Sequence, residues 1–364
     1  MCNEETVKTT QTLDNTRDLR SMNHQELEEL VIALGDKKFR ANQLFSWIHQ
    51  KKVSSIDEMT NISNKLKVDI SNSARLYSLR KVQCQTSKID GTKKYLFELE
   101  DGNMVESVWM SYHHGNSVCI SSQVGCKMGC RFCASTIDGW LRNLTAGEML
   151  EQIYAIERDT NQRVSNIVVM GTGEPMDNLD NIIRFLQLIN DKDGANISLR
   201  NITVSTCGIV PKILELAQYN FPITLAISLH ATTQEKRQEL MPIANKYSID
   251  ELLGACKKYY EITGRRVSFE YSLVSTVNDT DEDAHKLGKL LKNLNCHVNL
   301  IRVNPIKERD YARPDDSRAF AFQKIVEKYI NNVTIRREMG SDIDGACGQL
   351  RRRYSKESIR QDKE

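Results

Sequence analysis

The chain has 364 residues, of which 40% are hydrophobic and 27% charged, and a formal net charge of +2. That length can bury a full-sized core, and the composition is that of a soluble globular protein. The opening MCNEETVKTTQTLDNTRDLR has no apolar stretch of the secretory kind, and the longest apolar run, around FPITLAISL, is too short to cross a bilayer. A cytoplasmic location without membrane attachment is therefore expected, and in that reducing compartment the ten cysteines argue against a structural disulfide framework.

Charge is unevenly spread. Residues 1–36 hold three Lys/Arg against eight Asp/Glu, whereas residues 37–94 hold thirteen against four. Such a block attracts a phosphate backbone by counterion release, although a solvated lysine-rich face has the same composition. After a flexible tail over 1–20, NHQELEELVIALG reads as a helix, with Asn23 and Glu26 as a capping box, Leu27, Leu30, Val31 and Leu34 as its apolar stripe, and Gly35 as its stop. ANQLFSWIHQ is a second amphipathic helix and SNKLKVDISNSARL a shorter third. KKYLFELEDGNMVESVWMSY then reads as a hairpin turning at Asp101–Gly102. These elements predict a small helical accessory domain over 21–100, with RNA binding as its expected role and a linking hairpin from about residue 93.

From residue 117 the texture becomes strands alternating with helices: SVCISS, NIVVMG, NITVST, ITLAIS, VSFEYSL, HVNLIRV and VTIRR, with helical stretches such as TAGEMLEQIYAIERD, capped by Thr145 and Glu148, between most of them. Alternation of this kind predicts a parallel sheet built from βαβ units. The number of repeats fits an α/β partial (β/α) barrel over 101–350 better than a doubly wound sheet, and no GxGxxG follows the first strand. A basic tail, 351–364, completes the chain. In a barrel, functional groups gather at the C-terminal ends of the strands. Cys119, GTGEP (171–175), STCG (205–208), SLH (228–230), VNP (303–305) and DIDGACGQL (342–350) all fall at such ends.

SVCISSQVGCKMGCRFCAST places four cysteines within fifteen positions. Cys126, Cys130 and Cys133 have the spacing C-x3-C-x2-C, with Phe132 before the third. Zinc sites of the ribbon and finger type use paired knuckles, and no matching second pair appears downstream. Three thiolates on one loop can instead hold three irons of a [4Fe-4S] cluster and leave the fourth iron open. A closed zinc site with RNA-binding function and a redox-sensing dithiol are the remaining readings of the thiols.

The C-x3-C-x-F-C pattern resembles the radical S-adenosylmethionine superfamily. CISSQVGCKMGCRFCAST, RNLTAGE, VVMGTGEPMDN, AISLHA and DIDGACGQL together resemble the RlmN/Cfr family of RNA methyltransferases, and the likeness runs from about residue 24 to 350. The resemblance implies a [4Fe-4S] cluster on Cys126, Cys130 and Cys133. It implies S-adenosylmethionine contacts at Gly173, Glu174, Ser205, Ser228, Leu229, His230 and Asn304. It further implies a methyl-carrying Cys347, a resolving thiol at Cys119 that forms a transient disulfide with Cys347, and Glu106 as proton acceptor. The expected partners are 23S rRNA, tRNA and an electron donor of the flavodoxin or ferredoxin type, and the expected state is a monomer. SSQVGC and MGTGEP are more similar to the branch that methylates C2 of adenine than to the branch that methylates C8. Cys207 stands where other members carry serine and is expected to have no catalytic role; Cys2, Cys84, Cys256 and Cys296 read as structural or incidental thiols.

Overall fold

The Asn23 side chain accepts the Glu26 N–H at 2.9 Å while the Glu26 carboxylate accepts the Asn23 N–H at 2.8 Å, so helix α1 (His24–Ala33) starts where its capping box places it. In this computed structural model, which describes residues 17–113, 115–304, 310–343 and 350, two more helices follow: α2 (Phe39–Phe45), continued by a wider-wound turn over Ser46–Gln50, and α3 (Asn64–Ser73). Their apolar faces, including Leu27, Leu30, Leu44, Phe45 and Ile48, belong to the same continuous core as Ile153, Tyr154, Phe185 and Ile189 of the later α/β part. His49 is fully buried at this junction, its Nδ1 3.1 Å from the Tyr154 hydroxyl, and burial holds its imidazole well below the ordinary range.

Four strands then run antiparallel: β1 (Arg80–Thr86), β2 (Lys93–Glu98), β3 (Met104–Tyr112) and β4 (Gly115–Cys119). The β2–β3 turn falls at Asp101–Gly102, where Gly102 has a φ of +79° that favours glycine. A short hairpin, β5 (Gln123–Gly125) with β6 (Trp140–Asn143), forms a separate two-stranded sheet. Helix α4 (Ala146–Thr160) opens with its Thr145/Glu148 capping box and leads to β7 (Val164–Val169), which lies parallel to β4. The units continue as α5 (Leu179–Asn190), β8 (Ile202–Thr206), α6 (Val210–Gln218), β9 (Thr224–Ser228), α7 (Gln234–Leu240) and α8 (Ile249–Thr263). They end with β10 (Val267–Leu273), α9 (Asp281–Leu291), β11 (Cys296–Arg302), α10 (Asp316–Val326) and β12 (Val333–Ile335).

One ten-stranded sheet results, in the order β1-β2-β3-β4-β7-β8-β9-β10-β11-β12, antiparallel as far as β4 and parallel beyond it. Each parallel crossover carries a helix, as the alternating sequence pattern predicts for a partial barrel. No helix among the described residues is long and apolar enough to cross a membrane. The basic block of 37–94 has a different character in three dimensions. Of its thirteen cations, Lys38, Arg40, Lys52, Arg75, Arg80, Lys81, Lys93 and Lys94 pair with acids that lie outside the block. Much of its positive charge is therefore neutralised within the fold. A clamp also joins the two hairpins: Arg142 of β6 donates from Nε to Asp101 at 2.6 Å and grips Glu148 of α4 through both terminal nitrogens, at 2.8 and 2.7 Å.

Candidate active site

The segment that links β5 to β6 carries Cys126, Cys130 and Cys133. Gly125 has φ +76°, and a Cβ there would lie 2.0 Å from the Gly139 carbonyl oxygen, so only glycine fits. That carbonyl accepts the Cys126 N–H at 2.9 Å, and the Arg131 N–H donates to the Leu240 carbonyl at 2.9 Å, which fixes the loop against the end of α7. The Thr136 hydroxyl spans the Cys130 and Cys133 carbonyls at 3.1 and 3.0 Å. Cys130 packs with Cys207, Ala231, Leu240 and Met241, and Phe132 stands edge-on to the His230 ring at 4.7 Å between centroids. Burial, reinforced by the nearby Cys133 and Glu174, pushes the Cys126 thiol up to about 12 and the Cys130 thiol up as well.

The strand-end motifs converge on this loop. A Cβ on Gly173, at φ +114°, would meet Gln123 Cβ and Ser122 Oγ at 2.7 Å, so the GTGEP loop can lie against the Ser122–Gln123 segment only without side chains. Glu174 is buried and its carboxylate is used internally, accepting the Met176 N–H at 3.0 Å and the Cys207 N–H at 2.8 Å. This ties the end of β7 to the end of β8, where Ser205 is half-buried. Beyond β9, the Leu229 N–H donates to the Glu270 carbonyl at 3.0 Å, and His230 takes the left-handed φ of +56°. His230 Nδ1 accepts the Ser272 N–H at 2.9 Å; burial and the adjacent Arg237 cation hold the imidazole down to about 3, so it is neutral with its proton on Nε2.

Arg237, on α7, is a participant that its sequence context conceals. It lies in QEKRQEL, a run polar enough to read as a solvated helix face, yet it is fully buried. Its Nη2 donates to the Cys207 carbonyl at 2.7 Å and the Ser228 carbonyl at 3.3 Å, while Nε and Nη1 have no hydrogen-bond partner. Among the described residues no carboxylate forms an ion pair with it, and Cys130 and Cys207 are the thiols nearest in electrostatic reach. A buried cation without a counter-ion is costly. An anionic iron–sulfur cluster held by thiolates would supply the missing charge, so these residues fit such a group.

The antiparallel wall supplies a second set of groups. In the β2–β3–β4 register Lys94 lies opposite Val108 and Val108 opposite Cys119, which puts the three in one row on one face of the sheet. Glu106, two residues along β3, shares that face, and its carboxylate lies 2.9 Å from Lys94 Nζ; the two residues are 4% and 0% exposed. Opposite faces alternate as expected, since Ser107 turns the other way to donate to Gln152 of α4 at 2.8 Å. Cys119, Val108, Met110 and Met170 line a cleft of about 390 Å³ that also contains Asn304 and is rimmed by Arg302, Arg313, Arg336 and Arg337. Thus Cys126, Cys130, Cys133, Glu174 and His230 come together at the parallel strand ends, while Cys119, Asn304 and the Glu106 face meet at the cleft. Cys347 lies outside the described residues.

Residues 17–76 match the family model described as ribosomal RNA large subunit methyltransferase N-terminal domain, and residues 120–288 that of the radical SAM superfamily. The chain is 60% identical over 337 residues to a probable dual-specificity RNA methyltransferase RlmN of Lachnospira eligens, covering 93% of this chain and 96% of that one. It is 55% identical to a protein of the same description from Lachnoclostridium phytofermentans, over 97% and 99% of the two chains. Among solved structures, a radical SAM methyltransferase from Sphaerobacter thermophilus superposes with a TM-score of 0.88 at 40% identity, over 92% of this chain and 98% of that one.

Proposed function

This chain belongs to the RlmN family of radical S-adenosylmethionine RNA methyltransferases, and from that premise we propose that it methylates C2 of adenine in 23S rRNA and in tRNA through a methylated Cys347. The observation that carries this reading is that a thiol and a carboxylate, Cys119 and Glu106, share one sheet face, with Cys119 lining the cleft. C2 of adenine is an electrophilic amidine carbon, so it resists a cationic methyl donor and accepts a carbon radical. Bound on Cys126, Cys130 and Cys133, a [4Fe-4S] cluster with S-adenosylmethionine supplies that radical chemistry, fed by a donor of the flavodoxin or ferredoxin type.

The protein's own groups do the rest. Gly173, Ser205, Ser228, Leu229, His230 and Asn304 hold S-adenosylmethionine in this reading; Glu174 contributes through its backbone, because its carboxylate is occupied by the Met176 and Cys207 N–H groups. Neutral His230 presents Nε2–H as a donor, since Nδ1 already accepts the Ser272 N–H. The Cys347 thiolate takes a methyl group by displacement and later carries the carbon to C2. Glu106 accepts the C2 proton. Cys119 then displaces the product carbon from Cys347, forming a Cys119–Cys347 disulfide that external thiols must reduce before the next turnover. Of the rim arginines Arg302 pairs with Asp316 and Arg313 with Glu338, which leaves Arg336 and Arg337 to suit an RNA phosphate.

The test is nucleoside mass spectrometry of 23S rRNA and tRNA treated with anaerobically reconstituted protein. We expect 2-methyladenosine in both. 8-Methyladenosine would place the chain with the C8 branch, and stoichiometric zinc without iron would overturn the radical reading.

A further inference from the structure

We propose that Lys94 is a positioning residue for Glu106: its ammonium, buried 2.9 Å from the carboxylate, holds that carboxylate in place and aimed along the face that carries Cys119. The inference rests on the reading of Glu106 as proton acceptor and adds a residue to that step.

The register makes the case. Lys94, Val108 and Cys119 occupy successive strands in one row, and Glu106 lies diagonally adjacent to both Lys94 and Cys119. Lys94 itself is fully buried, so the pair is removed from water along with the wall. Its neighbour Lys93 shows the contrast, since it lies on the other face, is 30% exposed and reaches Asp159. A structural ion pair in a sheet is more simply made at the surface, as Arg80 and Glu98 do in the adjoining pair of strands. Burying both charges costs desolvation that well-packed apolar side chains would avoid. A general base has a use for that arrangement. A buried carboxylate lacking its counter-charge takes up a proton rather than stay ionised, and can then accept none from a substrate. An ammonium also has three N–H donors that fix carboxylate oxygens in space.

The experiment compares Glu106→Gln, Lys94→Met, Lys94→Gln, Lys94→Arg and the Lys94→Met/Glu106→Gln pair in the reconstituted full-length protein. It measures the rate of RNA methylation, KM for RNA, methylation of Cys347 by intact mass, and thermal unfolding. Lys94→Met should slow RNA methylation about 100-fold or more, within the usual range for loss of a general base, while KM for RNA shifts less than about 3-fold and Cys347 is still methylated. Lys94→Arg should recover at least about tenfold of that loss, and the double variant should be no slower than Glu106→Gln alone, because both act at one step. Lys94→Gln keeps a hydrogen-bond donor in the wall, and gives the same reading if Lys94→Met does not fold. If Glu106→Gln is inactive while Lys94→Met or Lys94→Gln methylates RNA within about 3-fold of the parent protein, Lys94 has no part in the step and the inference fails. If Glu106→Gln is itself fully active, the proton-acceptor reading fails first.

Discussion

The antiparallel wall and the parallel strand ends bury cations in opposite ways. In the wall the buried Lys94 has Glu106 beside it at 2.9 Å, and at the docked helical segment the buried Arg20 has Glu151 at 3.0 Å. At the strand ends Arg237 is equally buried, yet among the described residues its guanidinium hydrogen-bonds only to the carbonyls of Cys207 and Ser228. The first arrangement completes its electrostatics within the chain; the second does not do so among the described residues.

Removing one thiol is the most severe way to break the strand-end side. Cys130→Ala should lose the brown iron–sulfur chromophore and reduce cleavage of S-adenosylmethionine to background, read from absorbance, iron content and 5′-deoxyadenosine. A variant that keeps chromophore and cleavage would take Cys130 out of the ligand set.

A milder change sharpens the contrast. Arg237→Gln removes the buried cation near Cys130, which favours the less negative, oxidised cluster over the reduced one. The cluster's reduction potential should move roughly 60 mV more negative, equal to tenfold in a one-electron equilibrium, with Arg237→Lys shifting less. EPR-monitored redox titration reads it, and an unmoved potential would mean that Arg237 serves the loop's fold and not its charge.

The smallest effect concerns acid stability. His49 and His230 are buried neutral, with folded values below the unfolded 6.5, so each contributes stability that is complete above about 6.5 and is lost as pH falls toward its folded value. Asp18, Glu174 and Glu270, held above the ordinary carboxylate range by burial, act in the other direction as pH falls further. The useful reading is therefore a difference between proteins. Below about pH 6, His49→Gln should flatten the slope of unfolding free energy against pH by one proton, about 1.4 kcal/mol per pH unit, as measured by denaturant titration at several pH values. Parallel slopes would mean that His49 is not neutral in the fold.

Where local pattern decides structure, the sequence was a good guide. VSFEYSL coincides with β10, Val267–Leu273, and both capping boxes form as read. The partial barrel follows from those alternating apolar runs. Strand β1 escaped notice because RKVQCQT sits at the sheet edge with few buried side chains, and is held by backbone pairing to β2. The β5–β6 hairpin escaped because its two short strands are separated by the whole cysteine loop, a pairing that no local signal encodes. The strand-end positions of GTGEP, STCG and SLH were legible because each follows an apolar run that forms a strand. Lys94 and Arg237 were not. Each sits among other charged residues, and only packing reveals that one lysine of a Lys–Lys pair faces inward and that one arginine of a polar helix is fully buried. Cys207, expected to have no catalytic role, packs against Cys130 of the cysteine loop.

The clamp of Arg142 on Asp101 and Glu148 has a mechanical consequence. Asp101 sits at the tip of the hairpin whose strands bear Lys94 and Glu106, and Arg142 lies in the short strand that follows the cysteine loop, opposite Val124. One guanidinium thus ties the tip of the first hairpin, the second hairpin and the first turn of α4 together at a single point, although the two hairpins belong to different sheets.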